Sequence, residues 1–191
     1  MDKLIAWDTK LLIWLNNMGV DWADNFWIAI SEVNIWIPFY ALLLALMARH
    51  LKWKSFGWGL LFIILLVFAT DQGSVQLFKE QFQRLRPCHV DEVLEQIRLV
   101  KGSCGGKYGF LSSHASNTFG LAVFLSMVFK TRWPWFTALM LFWAALVSYS
   151  RVYLGVHYPL DILAGAGYGS LCGALIYGLF ARLVKPEKRD T

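Results

Sequence analysis

The sequence predicts an all-α integral membrane bundle of five or six transmembrane helices with an N-terminal interfacial helix, residues 1–191 forming one domain. Three observations carry this expectation. Of 191 residues, 57% are hydrophobic and 16% charged, a balance too apolar for an ordinary soluble domain. Five runs, Trp27–Ala48, Phe56–Phe78, Ser112–Phe129, Trp133–Ser150 and Ile162–Ala181, approach the roughly 20 residues a helix needs to cross the bilayer. Among ten Trp, Trp27, Trp53, Trp58, Trp133 and Trp135 fall near run ends, as in an interfacial aromatic belt. There is no internal repeat and no low-complexity linker.

Taken in order, the N-terminal "LIAWDTKLLIWL" is apolar but interrupted by Asp8 and Lys10. It is too short and too charged to span, and it lacks the unbroken apolar centre of a signal peptide. An amphipathic helix lying in the interface is the expectation. The first run contains Glu32 and Asn34, which would line a lipid entry or pair between helices. The second contains Asp71, two turns before Lys79, expected to find an internal hydrogen-bond partner. Cys172 in the last run reads as a small apolar filler. "KPEKRDT" is a short solvated tail.

Five spans put the termini on opposite sides. "ARHLKWK", "KTRW" and the C-terminal tail share one side, with nine Lys and Arg (Arg49, Lys52, Lys54, Lys130, Arg132, Arg182, Lys185, Lys188, Arg189) against Glu187 and Asp190. The other side has the remaining nine basic residues and eleven acids. Basic residues in short loops mark the cytoplasmic side, so the net charge of +5 is mainly a topology signal. The basic residues flank spans and form no separate basic domain, which argues against a nucleic-acid partner. The longer loops, 79–111 and 151–159, are expected outside the cytoplasm.

Those loops hold three stretches with chemistry. In "KEQFQRLRP", Lys79 and Arg86 are two helical turns apart and share a face if the helix continues to Pro87; they either converge on an anion or snorkel at a helix end. In "FLSSHAS", Ser112 and Ser113 could cap a helix whose free N–H groups favour an anion, with His114 in its first turn. In "SRVYLGVHYPLD", Pro159 suits a first helical turn. There Asp161, four residues after His157, could fix the imidazole tautomer. Each stretch alone has an ordinary structural reading. Together they place three cations (Lys79, Arg86, Arg151), two His, two Ser and an Asp on one side of the membrane. Charges at that depth are costly and usually functional. Three positive charges suit a phosphate, and two His supply a nucleophile and a proton donor.

These motifs resemble the three signatures of the type 2 phosphatidic acid phosphatase family, the membrane lipid phosphate phosphatases. The first and third agree at every defining position; in the second, Leu111-Ser112-Ser113-His114 stands where the family usually has Pro-Ser-Gly-His. The resemblance implies an all-α fold with a site at the membrane surface. It implies that His157 attacks phosphorus, Asp161 orients it, and His114 protonates the leaving group and then activates water. Lys79, Arg86, Arg151, Ser112 and the Ser113 N–H would hold the phosphoryl oxygens.

No cofactor is expected, and no metal, since no cluster has metal-ligand spacing; His89 beside Cys88 would lack further ligands. The expected partners are a phosphorylated lipid and the bilayer, with no obligate protein partner. By analogy, the substrate would be undecaprenyl diphosphate, and the protein would sit in a bacterial inner membrane with its site facing the periplasm or exterior. Phosphatidylglycerol phosphate, phosphatidate and lipid A phosphates remain alternatives. A non-catalytic transporter or binding protein for phosphorylated lipids is the rival class, although it has no need of the His–Asp pair. Cys88 and Cys104 lie in one loop on the side expected outside the cytoplasm; if that side is oxidising, a bridge between them is expected, leaving Cys172 free.

Overall fold

The structure, a computed structural model, describes residues 2–130 and 133–187. Of the charges used for orientation, Arg132, Lys188, Arg189 and Asp190 lie outside the described residues. The chain forms α1 (Asp2–Asn17), α2 (Asp21–Ser31), a 3-10 turn (Val33–Trp36), α3 (Ile37–His50), α4 (Trp53–Gly73), a π-helical segment (Ser74–Lys79) and α5 (Glu80–Phe82). A further 3-10 turn (Pro87–His89) precedes α6 (Asp91–Leu94), α7 (Ser113–Phe129), α8 (Phe136–Tyr153) and α9 (Pro159–Val184).

Among the described residues, four stretches are long and apolar enough to cross a membrane: Val33–His50, Trp53–Phe82, Phe136–Tyr153 and Pro159–Val184. The fifth expected crossing, α7, is a 17-residue helix at the centre of the bundle, packed against α4, α8 and α9. The first expected run, Trp27–Ala48, is broken. The α2 helix ends at Ser31 and Glu32 is extended (φ −84°, ψ 127°), so the crossing begins at Val33. Glu32 thus falls just outside the apolar stretch that begins at Val33, and its carboxylate pairs with Lys101.

The α7–α9 contact is a seam of small residues. Gly165, Gly169 and Gly173 recur every four residues on α9 and meet Ser112, Ser116 and Gly120, which have the same spacing on α7. A Cβ at Gly165 would stand 2.6 Å from the Ser112 carbonyl oxygen, and one at Gly169 or Gly173 would overlap the α7 backbone. Where surrounding lipid is as apolar as the helices, such close packing is what drives association. Phe62, Phe124, Phe180, Met140 and Trp143 fill the space around the seam. Trp53, Trp58 and Trp135 are exposed, as an interfacial belt requires.

Helix α1 is apolar outward and polar inward. Leu4, Ile5, Trp7 and Trp14 are exposed, whereas Asp8, Leu12 and Asn16, one turn apart, are fully buried. Asn16 donates to the carbonyls of Arg98 (3.1 Å) and Tyr153 (2.7 Å) and accepts from the Arg98 N–H (2.6 Å). That stripe docks α1 on α8 and α9. The opposite end of the bundle is closed by the α3–α4 turn, where the Lys52 N–H donates to the Glu187 carbonyl (2.9 Å).

Candidate active site

Lys79 is carried by a widened helix. After α4 the chain makes π turns, a local expansion frequent at functional sites. Tyr168 of α9 fits against Gly73, where a Cβ would overlap its hydroxyl, and donates to the Ala69 carbonyl (3.0 Å). The ammonium of Lys79 donates to Ser113 Oγ (2.7 Å), which shares a further hydrogen bond with Ser74 Oγ (2.6 Å).

The helix does not continue to Pro87. It stops at Phe82, because Gln83 adopts a left-handed conformation (φ 47°), and Arg86 is extended (ψ 156°), as a residue preceding proline prefers. The segment 84–86 pairs with 107–109: Leu85 bridges Tyr108, the Gly109 N–H donates to the Arg84 carbonyl (2.8 Å), and the Arg86 N–H donates to that of Lys107 (3.1 Å). Alternate residues of extended backbone point the same way, so Arg84 and Arg86 reach the site side by side. Arg86 donates to the carbonyls of Cys104 (2.9 Å) and Tyr108 (3.3 Å). Burial pushes its pKa down, with Asp161 opposing. Cys88 and Cys104 are joined as a disulfide with Cα atoms 6.1 Å apart, tying the two sides of this loop together. Cys172 is a half-buried free thiol.

Ser112 is the N-cap of α7. It is fully buried, and its hydroxyl accepts from the Ala115 N–H (3.4 Å). Its own N–H donates to the Asp161 carbonyl (3.0 Å), joining the starts of α7 and α9. Of the two serines it is Ser113 whose side chain meets Lys79. His114 follows in the first turn. Arg151, near the end of α8, hydrogen-bonds Ser31 Oγ.

His157 lies between α8 and α9, 1% exposed. Its Nδ1 is 3.3 Å from Asp161 Oδ2, which also accepts the Tyr158 N–H (3.0 Å). Gly109 lies against this pair: a Cβ there would be 3.2 Å from Asp161 Oδ2 and 3.1 Å from Arg86 Cγ. Burial pushes the His157 imidazole well below its ordinary value of 6.5. The charges of Arg86, Arg151 and Lys79 push the same way, and a backbone hydrogen bond with Gly109 opposes them. The structure thus brings Lys79, Arg86, Arg151 and Asp161 together around the buried His157 imidazole.

Two further residues join the site that the sequence does not single out as site residues. Arg84 donates through Nη1 to Asp161 Oδ1 (2.9 Å) and through Nη2 to Asp8 Oδ2 (2.6 Å), and it lies 4.0 Å over the Tyr158 ring. Asp8 Oδ1 accepts the Leu160 N–H (2.9 Å), one of the orphan donors in the first turn of α9. The available signals were the alternation of Arg84 and Arg86 before Pro87 and the lone Asp8 in an apolar run.

A cavity of about 490 Å³ adjoins the site. Ser31, Ser113 and His114 line it together with Trp36, Tyr40, Leu43, Val67, Leu121 and Trp143. Asp71, expected to hydrogen-bond internally, also lines it and accepts from Gln72 Nε2 (3.4 Å).

Residues 56–185 match the family described as the PAP2 superfamily. The chain is 35% identical over 185 residues to a lipid A 4'-phosphatase of Bacteroides thetaiotaomicron, covering 96% of this chain and 81% of that one. It is 36% identical over 172 residues to an undecaprenyl-diphosphatase of Sulfolobus acidocaldarius, covering 88% and 76%. The fold resembles the crystal structure of a transmembrane PAP2 type phosphatidylglycerolphosphate phosphatase from Bacillus subtilis. That likeness has a TM-score of 0.74 at 20% identity, over 96% of this chain and 89% of that one.

Proposed function

Because this chain belongs to the PAP2 superfamily and is a membrane lipid phosphatase, a hydrolase of phosphate esters, we propose that it removes a phosphate monoester from a lipid A-type glycolipid. The observation that carries a lipid substrate is the continuity of the cationic site with an apolar cavity through Ser31, Ser113 and His114. The choice of headgroup draws on similarity to the Bacteroides enzyme, which covers 96% of this chain and so reaches beyond the residues shared with the superfamily.

In this reading Lys79, Arg86 and Arg151, with the Ser113 N–H, hold the phosphoryl oxygens and neutralise their charge without a metal. Ser112 fixes the start of α7. His157, with its Nδ1–H directed to Asp161, attacks phosphorus through Nε2. An N–P bond forms, the P–O bond to the lipid breaks, and the lipid oxygen leaves with a proton from His114. A water molecule, losing its proton to His114, then attacks phosphorus; the N–P bond breaks and inorganic phosphate departs. The site faces the periplasm of an inner membrane, consistent with a disulfide beside it and with basic loops at the other end.

Phosphate release by purified protein tests this across a panel of lipid A, undecaprenyl diphosphate, phosphatidylglycerol phosphate and phosphatidate, with exhaustive chelation in parallel. Preferential, chelator-resistant release from lipid A is expected. Preference for undecaprenyl diphosphate would favour the second reading, which similarity to the Sulfolobus enzyme supports. Binding without release would return the transporter.

A further inference from the structure

We propose that Arg84 is a positioning residue for the nucleophile and that Asp8 makes the N-terminal helix part of the same device. The proposal rests on the reading of His157 as nucleophile, and the geometry is a continuous chain of contacts. The Leu160 N–H donates to Asp8 Oδ1 (2.9 Å), and Asp8 Oδ2 accepts from Arg84 (2.6 Å). The other arm of Arg84 reaches Asp161 Oδ1 (2.9 Å), and Asp161 Oδ2 stands 3.3 Å from His157 Nδ1. Asp8 and Asp161 are both 0% exposed.

One guanidinium therefore pairs with two buried carboxylates, and buried charges are tolerated only when paired and hydrogen-bonded. Its planar fork uses one arm for each. A carboxylate that orients an imidazole must itself be held, because free rotation about its side-chain bonds would move the lone pair facing Nδ1. Here Arg84 fixes one oxygen of Asp161 and the Tyr158 N–H fixes the other. Stacking over the Tyr158 ring and pairing of its carbonyl with the Gly109 N–H hold Arg84 from both ends. Arg84 differs from Arg86, two residues on, because both its arms are occupied by carboxylates. It has no role in holding phosphate, so its loss should appear in kcat and not in KM.

The test compares wild type with Arg84→Gln, Arg84→Lys and Asp8→Asn. Phosphate-release kinetics are read alongside the ¹⁵N resonances of His157 in labelled protein, and a thermal unfolding scan controls for folding. Arg84→Gln should lower kcat about 10- to 100-fold, the range for outer partners of an oriented imidazole, with KM nearly unchanged and the His157 Nδ1 resonance displaced. Arg84→Lys should recover part of kcat. Asp8→Asn should cost less, and combining it with Arg84→Gln should add nothing, since both act through one chain. If Arg84→Gln does not fold, the same readouts on Arg84→Lys and Asp8→Asn decide. An unmoved His157 resonance, or a loss confined to KM, would overturn the positioning role. Wild type that releases no phosphate from any lipid would sink the functional reading instead. The ¹⁵N comparison would still decide whether Arg84 orients His157.

Discussion

The helix pair α7–α9 is held by different physics along its length. In the middle, Gly169 and Gly173 let backbone lie on backbone, and the contact is steric. At the site end, Gly165 continues the seam, but the join is completed by hydrogen bonds: Ser112 N–H to the Asp161 carbonyl, and Asp161 to His157, Tyr158 and Arg84. The first region tolerates no added atom. The second depends on its partners as well, because a buried polar group left unpaired costs about 1–3 kcal/mol. Fold and chemistry are therefore largely separable, although one pair of helices carries both.

The largest effect should come from His157→Gln, which keeps volume and removes the nucleophile. Turnover should fall about 10³-fold or more, as for other members of a catalytic triad, while the thermal midpoint in detergent moves little. A collapse of the midpoint would break the comparison, since the site end would then be holding the fold. Next is Gly169→Val, which drives a branched side chain into the Ser116 backbone. It should cost about 3 kcal/mol or more, read as loss of monodisperse protein. Gly167→Val, two residues away and facing open space, is the control and should be nearly silent.

A smaller effect is expected from reducing the Cys88–Cys104 disulfide, whose partners are 16 residues apart. A loop of that size is worth about 3 kcal/mol in the chain-entropy model, and less in a protein whose other contacts persist. Because the Cys104 carbonyl accepts from Arg86, reduction should also raise KM for the lipid. Intact-mass measurement after alkylation should find one free thiol before reduction and three after.

The smallest effect concerns acid. His157 in the folded protein stays neutral below its ordinary value of 6.5, whereas the unfolded chain takes up a proton there. Folding stability should accordingly fall as pH drops below about 6.5, by no more than about 1.4 kcal/mol per pH unit, and be untouched by His157 above it. His157→Gln should remove this part of the slope in pH-dependent thermal scans.

What could be read in the sequence was whatever a local pattern carries. The three motifs stand in short stretches, and the apolar runs locate α4, α8 and α9 closely. Arg84 and Asp8 escaped because their meaning lies in partners 76 and 77 residues apart, which no periodicity shows. Asp8 registered only as an interruption of an apolar helix, although with Leu12 and Asn16 it forms the stripe by which that helix docks. The condition that the helix continue to Pro87 is not met: a left-handed Gln83 replaces the helical repeat by an alternating one. Likewise, hydropathy averages over Glu32, which is extended at the break and pairs with Lys101.

The cavity has a kinetic consequence. Val33, Leu44 and Val67 line it within the apolar stretches Val33–His50 and Trp53–Phe82 and keep much of their surface accessible, so in the proposed reading a lipid enters it from the membrane plane. A substrate arriving that way is never dissolved in water, and its effective concentration is its mole fraction in the membrane plane. Diluting it with inert detergent or lipid, at constant total amount, should slow the enzyme as surely as removing substrate would. Enlarging the aqueous volume should leave the rate unchanged.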